Sequence, residues 1–464
     1  MKTISFLGAG LCCILLLSCS QWASGPLFDG NSLDKWATTG EVSLSNGAIV
    51  LSGPDARAIL KGGRYKNFTL SLELRTTQGG KGAVRFHTDA SLTKGYCVAI
   101  NNDRDDPVWW KMSGSLVAVR NLTKSFVREN EWFTLDITVR GQAVTVGING
   151  SPVVEYIEPS APFRTGDHAA ALLSEGTFAL ESEGEGTIEI KRINVETIDP
   201  KEAAAGIPAQ LAEATDEQTD HIIRLHQEDF PVLDYHVHLK GGLTNEGAAL
   251  QSRQTGINYA IAPNCGIGFP ITDDAGVLNF LNEMRSEPFI LAMQAEGREW
   301  IETFSPEVRD EFDYVFTDAL TFTDGKGRRS RIWIAEETWI EDEQQYMDLI
   351  VDRICGVLQE PMDIYVNPCF LPPQMEDRYD EFWTEKRMNR FVDALAHSGK
   401  ALEINARYKI PNQAIIQKAK AAGVKFTFGT NNAEAEVGKL EYCVRMKEAC
   451  GLKAEDMYKP KIKI

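Results

Sequence analysis

The sequence predicts a chain of two domains, an antiparallel β-sandwich followed by a parallel α/β barrel. Three observations predict it. The 464 residues exceed what one ordinary core organises. From Leu27 to about Ile198 apolar and polar side chains alternate with period two, in short runs separated by Gly, Asn, Asp and Pro. After Pro231 the rhythm becomes strand then helix, repeated around seven strand candidates.

Composition limits function before any motif does. The hydrophobic share of 43% and charged share of 25% are those of a soluble globular protein. A formal charge of −18 opposes nucleic-acid binding, which needs a basic footprint. It equally opposes electrostatic docking on anionic lipid.

The start of the chain is an exception to that soluble pattern. "MKTISFLGAGLCCILLLSCS" has one lysine and an apolar run too short to span a bilayer comfortably, the layout of a secretory signal. Its "LLSC" resembles the lipobox of bacterial lipoproteins, in which the cysteine becomes the lipidated first residue, here Cys19. An ordinary signal peptide is the alternative. Ser20 stands where an aspartate would favour the inner membrane, so the resemblance implies an outer-membrane anchor facing the periplasm. Residues 1–26 are read as signal and tether. The later cysteines (Cys97, Cys265, Cys355, Cys369, Cys443 and Cys450) are widely spaced without C-x-x-C and read mostly as small buried apolar residues.

The sandwich is placed at residues 27–198. "FTLSLELRT", "GAVRFHTD", "YCVAINN", "FTLDITVRG", "AVTVGINGSPVVEY" and "GTIEIKRINVETI" are its strand runs, and Asn149-Gly150 reads as a tight hairpin turn. "LFDGNSLDKW", "LELR", "GAVRF", "EWFTLDITVRG" and "IKRINVETI" resemble the 3-keto-disaccharide hydrolase domain, a concanavalin-like jelly roll. That resemblance implies cleavage of sugars oxidised at C3, on a fold that also serves for plain binding. Glu73 and Arg85 are the sugar-binding candidates, with Arg75 beside them; cross-strand charge pairing is the competing role. Trp109 and Trp110 read as core or as a sugar platform.

Residues 199–230 read as a helical connector, with Pro208 placed to start a helix. His221 and His226 lie off a common helical face and read as surface residues.

The barrel is placed at residues 231–464. Its strand candidates are "VLDYHVHL", "INYAIAPN", "PFILAMQAE", "FDYVFTDALTF", "DIYVNPCF", "KALEINAR" and "VKFTFGTN", with helices such as "EKRMNRFVDALAHSG" between them, closed by glycine. Chemistry in such barrels sits at the carboxyl ends of strands. Those ends deliver His236 and His238, Asn264, Glu296, Asp318, Asn367, Glu403 with Asn405, and Asn431. His236 and His238 are two residues apart and share a face, where both imidazoles can meet one ion. With Glu296 and Asp318 they form a metal-ligand set suited to zinc, manganese or iron, as one ion or two. A bound ion would acidify water, with Asp318 or Glu403 as general base. Lys240, Arg298 and Arg407 are candidates for an anionic substrate group, and Asn367 and Asn431 for substrate binding. Their competing role is pairing with the same carboxylates. His397, ending a helix, reads as a dipole partner.

"DYHVHL" and "MQAEGREW" resemble the opening H-x-H and metal-bridging Glu of the polymerase and histidinol phosphatase (PHP) superfamily of seven-stranded barrels. Asn264, Asp318 and Asn367 stand where that family carries further histidines, and its closing D-x-H becomes "TNNA". The expectation is therefore an exported, metal-dependent hydrolase or lyase on a carbohydrate-derived substrate, the barrel reacting and the jelly roll binding sugar. A variant moves the chemistry to the jelly roll. The competing classes are a non-catalytic glycan-binding lipoprotein and a phosphoesterase.

Overall fold

The structure is a computed structural model and describes residues 24–205 and 215–463. Cys19 and the rest of the leader lie outside the described residues, as does Pro208 in the connector.

The amino-terminal domain is an antiparallel, curled, jelly-roll-like sandwich, as the alternation predicts. Its strands are β1 (Gly25–Phe28), β2 (Trp36–Ser45), β3 (Ala48–Leu60), β4 (Phe68–Thr76), β5 (Lys81–Thr88), β6 (Tyr96–Asn101), β7 (Phe133–Arg140), β8 (Ala143–Ile148), β9 (Ser151–Ile157), β10 (Thr177–Ser182) and β11 (Thr187–Thr197). They run in the order β6-β5-β10-β3-β11-β4-β7-β8-β9, with β1 on β11 and β2 on β3. Strand β4 shows why these residues form a sheet. Phe68, Leu70, Leu72 and Leu74 are buried while Thr69, Ser71, Glu73 and Arg75 stay half-exposed on the other face. The β8–β9 turn is made by Asn149 at φ +51° and Gly150 at φ +81°, the pair of positive φ values that a type I′ hairpin requires. Trp109 and Trp110 belong to the core.

The connector contains α1 (Pro200–Ala205) and α2 (His221–Gln227). Asp220 caps α2, its side chain accepting from the Ile222 amide. His221 is exposed, but His226 is fully buried, against the sequence reading. Its Nε2 meets the Gly256 carbonyl at 3.0 Å, and its Nδ1 accepts from the Asn121 amide at 3.4 Å. Burial and Arg120 push its pKa down to about 3, so it is a neutral pin between the domains.

The carboxy-terminal domain is a closed parallel barrel of seven strands. Its staves are β12 (Leu233–Val237), β13 (Asn258–Ile261) continued by β14 (Asn264–Cys265), β15 (Ile290–Ala295), β16 (Tyr314–Thr317), β19 (Ile364–Tyr365), β20 (Ala401–Asn405) and β21 (Phe426–Gly429), closed by β12 on β21. The run "FDYVFTDALTF" divides: Thr321–Thr323 forms β17, which pairs with β18 (Arg329–Arg331) in a separate hairpin. Helices α3 (Asn245–Thr255), α4 (Asp274–Met284), α5 (Trp300–Thr303), α6 (Pro306–Arg309), α7 (Glu343–Val357), α8 (Tyr379–Phe382), α9 (Glu385–Ser398), α10 (Gln413–Ala421) and α11 (Glu441–Cys450) cover the outside. Gly399 ends α9 at φ +67°, the left-handed conformation in which glycine has no Cβ penalty.

The sandwich docks on the amino-terminal ends of the barrel strands. The Thr123 amide donates to Asn258 Oδ1 at the start of β13, and Lys124 Nζ donates to the Phe289 carbonyl just before β15. The last residues run along the same floor, where the Tyr235 hydroxyl donates to the Tyr458 carbonyl and Lys459 Nζ to that of Asp106. Leu233, Ile290, Ala292, Tyr314 and Phe316 of the barrel share one apolar cluster with the sandwich core. The strand ends that carry the polar residues open on the opposite side. The sandwich and the barrel mouth therefore lie on opposite sides of the barrel floor.

Candidate functional sites

The barrel interior is graded from an apolar floor to a polar mouth, and period two builds the gradient. On β15 and its extension, Ile290 and Ala292 face the floor cluster and Gln294 and Glu296 follow above them. Leu291, Met293 and Ala295 point outward into the helix-facing core. Tyr314, Phe316 and Asp318 repeat the gradient, as do Ala401, Glu403 and Asn405.

The mouth gathers His236, His238, Glu296, Asp318, Asn367, Glu403, Asn405 and Asn431, all buried. The two imidazoles lie with ring centroids 5.0 Å apart, and the His236 ring packs 4.6 Å from that of Phe316. Glu403 Oε1 lies 2.6 Å from His236 Nδ1, while its Oε2 accepts from the Asn367 amide and from Asn405 Nδ2. Glu403 therefore has both oxygens engaged and orients His236. Gly429 makes this approach possible: a Cβ there would stand 2.2 Å from Glu403 Oε1. His238 Nδ1 lies 2.6 Å from the Ala262 carbonyl, so that nitrogen carries the proton and Nε2 keeps its lone pair. Asn432 grips the His238 backbone at both amide and carbonyl.

The acids form the second half of the mouth. Asn264 Nδ2 donates to Glu296 at 2.6 Å, and Asn367 Nδ2 donates to Asp318 at 2.8 Å. Asn405 and Asn431 both donate to Asn367 Oδ1. Asn367 and Asn431 each sit at φ +48°, a region that asparagine tolerates better than most side chains. Burial, and then the neighbouring Asp318 charge, push Glu296 up to about 8, so it holds a proton at neutral pH. Burial also raises Asp318. His238 is held well below the usual imidazole range by burial, then by His236, Lys240 and Arg407.

These residues do not fit a ready-made metal centre. Both ring nitrogens of His236 are committed, Nδ1 to Glu403 and Nε2 to Gln294 Oε1 at 3.2 Å. Burial and the Asp318 charge raise the Glu296 carboxyl, so an ion there would have to displace its proton. Among the described residues no group of three or more His, Cys, Asp or Glu side chains is arranged to hold an ion. Gln294 is the residue that sequence reading missed, although it lies two positions before Glu296 on the same face.

The predicted anion-binding cations divide. Arg298 is drawn away: its Nη1 donates to both Glu360 oxygens at 2.8 Å, and its Nη2 donates to Thr317 and the Asp318 carbonyl. Lys240 and Arg407 stay at the rim, exposed, with Arg407 Nη1 donating to the Asn431 carbonyl at 3.3 Å. His397, on the far surface, accepts no role here; its Nδ1 meets the Asp393 carbonyl.

On the sandwich, Glu73 and Arg85 part company, with β11, β3 and β10 between their strands. Glu73 pairs across strands with Lys191 at 3.6 Å, and Arg75 with Glu189 at 2.9 Å. Arg85 pairs with Glu181 and also lines a cavity of about 480 Å³ on β5 and β6. Lys81, Lys94, Lys111, Asp167, His168 and Glu183 line it too. Burial, then Lys111, lower the pKa of His168, which sequence reading did not single out. No motif marks it, because its neighbours come from strands far away in sequence.

Three comparisons bear on the chain. No curated protein matches it. A protein assigned as a glycosyl hydrolase from Parabacteroides distasonis is 17% identical, with a TM-score of 0.33, over 37% of this chain and 93% of its own. The carbohydrate binding module CBM66 from Bacillus subtilis is 16% identical, with a TM-score of 0.28, over 35% of this chain and 96% of its own. Residues 23–196, which contain the sandwich and its cavity, match the model of the 3-keto-alpha-glucoside-1,2-lyase-like domain family.

Proposed function

We propose that the chain acts on a carbohydrate-derived small molecule of the 3-keto-glycoside class, as a hydrolase or lyase, and that the sandwich cavity receives the sugar. One observation carries this reading: the cavity around Arg85 lies within the residues that match the lyase-like family. A ketone at C3 acidifies the C2 hydrogen, and a leaving group at C1 is then β to the developing enolate. Such chemistry needs a neutral base and cations for the enolate oxygen. The cavity offers His168 with Arg85, Lys94 and Lys111. The test is turnover of a 3-keto-α-glucoside by the full chain and by Arg85→Ala. Conversion that falls at least tenfold in the variant supports the reading; conversion unchanged in the variant, or absent from both, rejects it.

A second reading puts chemistry at the barrel mouth, favoured by the paired buried acids. There Glu296 holds a proton to give, and His238 has a lone pair to take one. Kinship with the PHP barrels and dependence on zinc, manganese or iron belong to this reading. Loading an ion would require Gln294 to leave His236 and Glu296 to lose its proton. Elemental analysis of wild type beside His238→Ala tests it: metal present in the first and depleted in the second supports it. Export and anchoring through Cys19 complete the proposal, tested by labelled fatty-acid incorporation that Cys19→Ser abolishes.

A further inference from the structure

We propose that His168 takes the C2 proton of the bound 3-keto sugar, and that the connector holds in place the segment leading into His168. This inference rests on the sugar reading of the sandwich cavity.

His168 closes a single turn, Gly166–His168, and lines the same cavity as Arg85. The segment leading into that turn is not held by the sandwich alone. Arg164 Nη1 donates to Glu217 at 2.7 Å, with both side chains 3% exposed, and the Phe163 amide donates to the same carboxylate. The Thr165 amide donates to Gln227 Oε1 on α2 at 2.8 Å. Lys111, also in the cavity lining, pairs with Asp229 at 2.6 Å, just beyond α2. Glu217, Gln227 and Asp229 all lie after residue 196, outside the family match. Connector residues thus hold Lys111 of the cavity lining and the segment 163–165 that leads into His168.

The charged groups acting on His168 are Lys111 and Arg164, which oppose its protonation, and Asp229 and Asp167, which favour it. The balance leaves a half-buried imidazole with a lone pair at neutral pH. In the step, that lone pair takes the C2 proton, and the C2–H electron pair forms C2=C3 with charge on the C3 oxygen. The enolate pair then forms C1=C2 as the C1–O bond breaks. The proton gained by His168 balances the one acquired by the departing alcohol. No water, oxidant or reductant is consumed.

The test uses the full chain with a 3-keto-α-glucoside, following the conjugated enone by absorbance and exchange of C2–H in deuterium oxide by mass spectrometry. His168→Gln should lower kcat at least 100-fold and suppress exchange, with KM changed less than about threefold. Added imidazole should restore part of the rate to His168→Ala, which separates a lost base from a lost fold. Asp229→Asn should move the acid limb of the pH profile to lower pH, because it removes a charge that favours the imidazolium. A His168→Gln variant that exchanges and eliminates at the wild-type rate, while Arg85→Ala does not, overturns the role of His168 and leaves the sugar reading standing. A wild type that neither binds nor converts the sugar overturns both.

Discussion

Replacing Glu296 with glutamine should remove a loss of barrel stability that accompanies rising pH. Glutamine keeps an oxygen that can accept from Asn264 Nδ2, so the replacement removes a titration rather than a contact. In the folded chain Glu296 titrates at about 8 against an ordinary value of 4.5. A carboxyl raised by folding contributes stability that is fully present below its unfolded pKa and lost as pH rises through its folded pKa. The window is therefore about pH 4.5 to 8. Three and a half units at about 1.4 kcal/mol each set an upper limit of about 5 kcal/mol, and part of that passes to Asp318, whose charge is one of the causes. Urea unfolding followed by tryptophan fluorescence at pH 5, 7 and 9 measures it. The variant should match wild type at pH 5 and exceed it by several kcal/mol at pH 9. Parallel pH profiles for the two proteins would show that Glu296 is ionised in the folded chain, and the reasoning about the mouth would fail.

Other outcomes follow from single contacts. Gly429→Ala forces a Cβ against the Glu403 carboxylate; it should cost about 1–3 kcal/mol and shift the His236 imidazole resonances. Glu217→Ala leaves Arg164 buried beside Tyr96 and Tyr156 without its carboxylate. A loss of about 3–5 kcal/mol is expected in denaturant titration, and a loss below 1 kcal/mol would mean the connector does not clamp the segment leading into His168. Gly150→Ala, at φ +81°, should destabilise the sandwich by about 1 kcal/mol in a thermal melt without affecting sugar conversion.

Much of the architecture was readable before any coordinates. Alternation in "FTLSLELRT" specifies which residues face the sandwich core, because a strand turns successive side chains to opposite faces. The same rule orders Ile290, Ala292, Gln294 and Glu296 from floor to mouth. The seven strand runs after Pro231 correspond to the seven staves, and only the tail of "FDYVFTDALTF" left its strand for a hairpin. His236 and His238 converge because two-residue spacing on a strand leaves them little choice.

What the sequence by itself determined is local: period, turn chemistry and the face each side chain takes. Which partner meets each polar group was decided only by tertiary structure. Glu403 reaches His236 across 167 residues, Glu360 captures Arg298 across 62, and His226 is buried by a sandwich loop 105 residues away. The docking of the sandwich on the barrel floor, and the segment leading into His168 held by Glu217 and Gln227, are likewise invisible to periodicity. The physical reason is that a backbone pattern sets direction within a few ångströms, whereas protonation and ligand capacity depend on burial and charges contributed by distant segments.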